Sequence, residues 1–132
     1  MYKLLKIGNK EYKLEYSIEA SLYDECVKSV MNTLLATSGG VDKTPEEMIS
    51  GMANIPNTAL TVFYAGLLQY HGDSPDADGS VPNLATAKRL AVQFIQEHKD
   101  DEQGNFYGIF AMCLDQMEED GFFKLTGLET FM

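Results

Sequence analysis

The sequence predicts a mostly helical α+β fold, in which an N-terminal β-hairpin is followed by about five helices packed around one central apolar helix. Three observations predict it. Thr58 to Tyr70 carries no charge and sets Leu60, Val62, Phe63, Ala65, Leu67 and Leu68 at nearly every angle of a helical wheel, so it requires burial on all sides. Residues 2–16 alternate around Gly8-Asn9, a pair suited to a two-residue hairpin turn. The other apolar residues recur mainly at three- and four-residue spacing, in runs separated by Gly, Pro and Asp.

Taken in order, the hairpin comes first. Pairing outward from Gly8-Asn9 sets Ile7 opposite Lys10, Leu5 opposite Tyr12 and Lys3 opposite Leu14 on a largely apolar face. The other face sets Lys6 opposite Glu11 and Tyr2 opposite Glu15, an opposite-charge arrangement that cross-strand energetics favour. A lone hairpin is marginal in water, so the apolar face needs helices or further strands, and the edges are potential pairing sites. Ser17 is placed to cap an amphipathic helix of about twenty residues that carries Tyr23, Cys26, Val27, Val30, Met31 and Leu34. Ser38-Gly39-Gly40 ends it. Thr44-Pro45-Glu46-Glu47 combines a cap, a first-turn proline and a capping-box Glu, predicting a short helix that runs to Ala53. Asn54-Ile55-Pro56 is expected to break the chain before the central helix.

Beyond the central helix, His71 to Pro82 holds glycine, proline and aspartate in a pattern expected of an exposed loop. Leu84, Ala87, Leu90, Ala91, Phe94 and Ile95 mark the next helix, from Asn83 to His98. A further helix puts Phe106, Ile109, Phe110, Cys113, Leu114 and Met117 inside and ends on Asp115, Glu118, Glu119 and Asp120. Four acids at a helix C-terminus oppose the macrodipole, so that end is expected to fray or to face a cationic partner. The last twelve residues concentrate Phe122, Phe123, Leu125, Leu128, Phe131 and Met132 without a clear period. Such a tail either folds back onto the core, or adds a strand to the hairpin, or forms an adhesive surface that another molecule or another copy covers. Those six residues are the candidate partner-binding site.

With 132 residues, 45% of them hydrophobic, the chain can close one core without disulfides or metals, and it reads as one domain: hairpin 1–16, helical core 17–120, apolar tail 121–132. Twenty acidic against ten basic side chains give a net charge of -10. That charge repels nucleic acid and anionic membranes, so neither is expected as a partner. The imbalance is local, with six Lys against eight acids in Met1 to Gly66 and four bases against twelve acids thereafter. Met1 to Lys6 lacks the apolar stretch of a secretory signal, and a cytoplasmic location is expected.

The residues offer little to chemistry. Cys26 and Cys113 each fall inside a helical run with no second thiol or histidine at ligand spacing, and are expected to be buried free thiols. His71 and His98 fall at predicted helix C-termini, where capping of the last carbonyls is the expected role. There is no Gly-x-Ser-x-Gly elbow, no His-Glu-x-x-His zinc helix and no phosphate-cradling loop, and Arg89 is the only arginine. Aligning Gly79 with the glycine of a calcium loop leaves Ser74 first and Ala85 last, where a bidentate Glu is needed, so no calcium site is expected. No enzyme activity, cofactor or metal is expected, and the composition points to a binding module.

The hairpin Leu5-Lys6-Ile7-Gly8-Asn9-Lys10-Glu11-Tyr12-Lys13-Leu14-Glu15-Tyr16, leading at once into a helix, resembles the opening of tail assembly chaperones from long-tailed, siphovirus-type bacteriophages and prophages. Phe63-Tyr64-Ala65-Gly66-Leu67 looks like the segment of that family where an apolar helix ends in Ala-Gly-Leu before an acidic loop. The resemblance covers most of the chain in outline and rests on no single specific motif. It implies a non-enzymatic helical protein of the host cytoplasm, absent from the mature virion. Such a protein binds the tape-measure protein, keeps it soluble, recruits tail-tube subunits and self-associates; a longer frameshifted form is also implied. An acidic nucleic-acid mimic that inhibits a host DNA-binding enzyme is the alternative, with Asp73, Asp76, Asp78, Asp100, Asp101, Glu118, Glu119 and Asp120 available to imitate phosphates.

Overall fold

The computed structural model describes residues 2–38 and 53–131. Strands β1 (Lys3–Ile7) and β2 (Lys10–Leu14) pair antiparallel in the register expected from the turn, with Leu4 also opposite Lys13. Gly8 takes φ 64° and Asn9 does not turn positive, so the turn uses glycine at its first central position, as tight hairpins of one type require. Leu5, Ile7, Tyr12 and Leu14 are buried on the inner face.

The helix expected from Ser17 onward is two helices, α1 (Ile18–Leu22) and α2 (Asp24–Ser38). Tyr23 interrupts them with an extended backbone, and its ring meets Tyr64 edge-on at 5.5 Å. The break allows Ala20 on one side and Cys26 and Val30 on the other all to reach the core. Ser17 does not cap through its side chain; its hydroxyl instead lies 2.9 Å from a Glu15 carboxylate oxygen and 2.8 Å from the Gln69 side-chain oxygen. The short helix expected from Thr44 lies outside the described residues, apart from its last residue, Ala53.

The central helix, α3 (Ile55–His71), is longer than its uncharged stretch. Asn54-Ile55-Pro56 opens the helix where a break was expected, because a proline in the first turn gives up no intrahelical hydrogen bond. From Thr58 to Gly72 no residue is exposed. The helix is covered by β2, α1, α2, α4 (Leu84–Glu97) and α5 (Phe106–Glu119). Side-chain oxygens of Asn83 and Asn105 cap α4 and α5, accepting from Thr86 N–H at 2.9 Å and Gly108 N–H at 2.7 Å.

The chain leaves β2 across α3 at Gly66. Glu15 N–H donates to Gly66 O at 2.9 Å, and the fully buried Tyr16 donates its hydroxyl to Val62 O at 2.6 Å. The acidic end of α5 is helical through Glu119. Asp120 stands just past it and accepts Tyr16 N–H at 2.9 Å and the Gln116 amide at 3.0 Å. The tail folds back onto the core as α6 (Phe122–Thr126) and a 3-10 turn over Leu128–Phe131, and adds no strand among the described residues.

Candidate functional site

Left-handed glycines, Gly121 at φ 71° and Gly127 at φ 80°, bracket α6 and turn it back toward α5 and α1. This divides the six candidate tail residues. Phe122 is fully buried with its ring 5.8 Å from that of Tyr16, and Leu128 is buried as well. Phe123 is half-buried and packed against the core, while Leu125 is 48% exposed. Phe131 ends the 3-10 turn, and Met132 lies outside the described residues. The apolar tail is therefore a lid whose underside belongs to the core and whose outer side offers Leu125 and part of Phe123.

Leu125 does not stand alone. It shares a groove of about 460 Å³ with Ser21, Val27 and the oppositely charged Asp24 and Lys28. The short helix α1 packs on α6, and it exposes Ile18 at 54% and Leu22 at 72%. Exposed apolar side chains on two helices in contact make this face a candidate for a covering surface. Sequence reasoning placed the first helix's apolar stripe at Tyr23 and beyond, and so missed Ile18 and Leu22. The break at Tyr23 turns them outward, and no glycine or proline announces that break.

The histidines separate in role. His98 Nδ1 lies 2.9 Å from Phe94 O and the ring stacks on Phe94 at 4.2 Å, the helix-end role expected of it. His71 does something else. Its buried ring accepts Lys13 N–H at Nε2, 2.9 Å away, so Nδ1 carries the proton and faces Asp78 Oδ2 at 3.0 Å. The pair has the composition of a general-base dyad, but the nitrogen that would take a substrate proton is already filled by the backbone of β2. Although burial works to raise it, hydrogen bonds from the Ser80 hydroxyl, Ser80 N–H and His71 hold the Asp78 carboxyl well below the usual carboxylate range. Lys10 adds an ion pair to it at 3.7 Å. The loop from 72 to 82 is correspondingly tied down: Val81 N–H donates to His71 O at 2.7 Å, and the Val81 side chain is buried.

Both cysteines are free and buried. Burial pushes the Cys26 thiol up to about 12, with Cys113 adding to the effect. Burial likewise pushes Cys113 up to about 12, against a smaller opposing effect of the Tyr16 hydroxyl. Thiols so displaced are poor nucleophiles. Among the described residues no group of three His, Cys, Asp or Glu is placed to hold a metal ion, and no helix is long and apolar enough to cross a membrane.

A second groove, of about 490 Å³, follows the outer side of α5, with Lys3 of β1 in its wall. Glu102, Asp115 and Glu119 give it an acidic lining, and Tyr107 stands 65% exposed within it. Asp115 and Glu119 lie one helical turn apart, but Glu102 is thirteen residues before Asp115 and Lys3 more than ninety before any of them, so no spacing in the sequence joins the four. Compared with known proteins, the chain matches no family model, no curated protein and no solved structure.

Proposed function

We propose that this chain is a non-enzymatic binding protein, a tail assembly chaperone of a long-tailed bacteriophage or prophage. It holds the tape-measure protein in soluble form in the host cytoplasm, brings tail-tube subunits to it, and is left out of the finished virion. The observation that carries the reading is the exposure of Ile18 and Leu22 on α1 and of Leu125 on α6, two short helices that pack on each other. A long helical client offers apolar stripes, and a surface with exposed leucines and a charged rim suits such a stripe. The resemblance of the hairpin and of the Ala-Gly-Leu helix end to that family supplies the client's identity.

The mimic reading uses the same acidic chain, but three of its eight carboxylates do internal work, Asp101 by accepting Gln103 N–H at 2.9 Å. Asp78 is spent on Ser80, His71 and Lys10, and Asp120 on Tyr16 and Gln116. A tagged pull-down from cells producing the phage, washed at low and high salt, separates the two. Recovery of a very long helical protein or tail-tube subunits that survive high salt supports the chaperone reading. Recovery of a basic nuclease or polymerase that washes off with salt replaces it by mimicry.

A further inference from the structure

The two edges of the hairpin are treated differently by the fold. A two-residue turn makes Ile7 and Lys10 a hydrogen-bonded pair, and alternation extends that class to Leu5 with Tyr12 and Lys3 with Leu14. The N–H and C=O groups of Leu4 and Lys6 on β1, and of Glu11, Lys13 and Glu15 along β2 and its exit, therefore point away from the partner strand. On the β2 side two of the three outward amides are covered, Lys13 N–H by His71 and Glu15 N–H by Gly66 O, and only Glu11 N–H, next to the turn, has no partner among the described residues. Beside β1, α4 packs against the strand and its Glu97 carboxylate accepts Gly8 N–H at 3.0 and 3.1 Å, but among the described residues no hydrogen bond reaches the outward amides of the strand. The amides of Leu4 and Lys6 have no partner among the described residues.

This open edge comes with a chemical preference. The acidic groove along α5 includes Lys3, the first residue of β1, and sets Glu102, Asp115 and Glu119 against that single cation. Leu4, 52% exposed, offers apolar surface on the outer face of the same strand. A strand laid along β1 alternates its side chains between these two environments. We propose that the open edge of β1 takes up an extended basic segment of another protein as a third strand. Lys or Arg at alternate positions reaches into the groove toward Glu102, Asp115 and Glu119, with the aliphatic stems over Ala111 and beside Tyr107. Apolar residues between them lie next to Leu4. Backbone pairing supplies the attachment and charge selects the sequence. The inference does not rest on the chaperone reading, because it defines the partner by conformation and charge alone.

The test uses the full-length chain and three decapeptides: alternating Lys and Val, alternating Glu and Val, and the Lys-Val peptide with one central Val replaced by Pro. Binding of the Lys-Val peptide is expected to slow amide exchange at Leu4 and Lys6 by about tenfold or more. The Glu-Val and proline-interrupted peptides are expected not to do so. Asp115→Asn combined with Glu119→Gln, both at exposed positions, is expected to weaken the Lys-Val peptide by about tenfold with an unchanged circular dichroism spectrum. Several results overturn the proposal: no binding up to about 1 mM, binding without protection of Leu4 and Lys6, or equal affinity for the proline-interrupted peptide. The last two would mean diffuse attraction to an acidic surface. Protection of both amides in a concentration-dependent dimer without peptide would also overturn it, by giving the edge to a second copy of β1.

Discussion

Lys13 N–H points off the outer edge of β2, and a buried amide without an acceptor costs about 1–3 kcal/mol. His71 meets that requirement with one ring nitrogen and holds Asp78 with the other, so a single imidazole joins hairpin, helix end and acidic loop. Replacing it tests the role directly. His71→Leu is expected to lower the unfolding free energy by about 2 kcal/mol in urea titration, while His71→Gln, which can both accept and donate, recovers part of the loss. Equal stability of all three would show that the network is incidental. The cysteines make a second residue-scale prediction. Their folded values stand near 12 against an ordinary 9.0, so the unfolded chain loses protons first as pH rises. The stability they confer is complete below pH 9 and is lost progressively between 9 and 12. Urea midpoints should therefore hold from neutrality to about pH 9 and fall beyond it, and Ellman's reagent at pH 8 should find both thiols only after unfolding. The sequence made the cysteines legible, since their helical positions already faced inward. It could not do the same for His71, whose acceptor role depends on an amide 58 residues earlier in the chain.

At the level of elements, the contact between β2 and α3 turns on Gly66. A Cβ there would overlap the Leu14 side chain and the Tyr16 ring, although alanine is the better helix former by about 1 kcal/mol. Overpacking a fixed core costs about 1–3 kcal/mol, and here both obstructing side chains are buried, with Tyr16 also held to α3 by its hydroxyl. Gly66→Ala is thus expected to destabilise despite its propensity gain, with a lower thermal midpoint. A raised midpoint would show that the hairpin can lift away from α3 at little cost. The register of that hairpin is readable because a glycine turn and the spacing of Leu5, Ile7, Tyr12 and Leu14 are local signals, although Leu4 breaks the alternation. The division of α1 from α2 is not. The apolar period runs across Tyr23 without Gly or Pro, and the break follows from two short helices reaching one core from different angles.

Across the whole molecule, the central position of α3 followed from its lack of charge, and the uneven acid distribution reappears as a basic-edged hairpin facing an acidic groove on α5. The tail is where local reading ended, because six apolar residues without a period do not say which will be inside. The structure puts Phe122 and Leu128 in the core and leaves Leu125 out, and that difference decides how binding must be tested. Deleting the chain after Gly121 removes a fully buried aromatic whose loss alone costs about 3–5 kcal/mol. Set against a typical domain stability of about 5–15 kcal/mol, the truncated chain is expected to lose most of its cooperative unfolding transition. Failure of that chain to bind a client would then say nothing about the surface. Leu22→Lys together with Leu125→Lys changes only exposed positions and should move stability by no more than about 0.5 kcal/mol each. If the double variant keeps the wild-type melting curve and no longer retains the client at high salt, the surface of α1 and α6 is the binding face. If it retains the client as wild type does, that face is not the site.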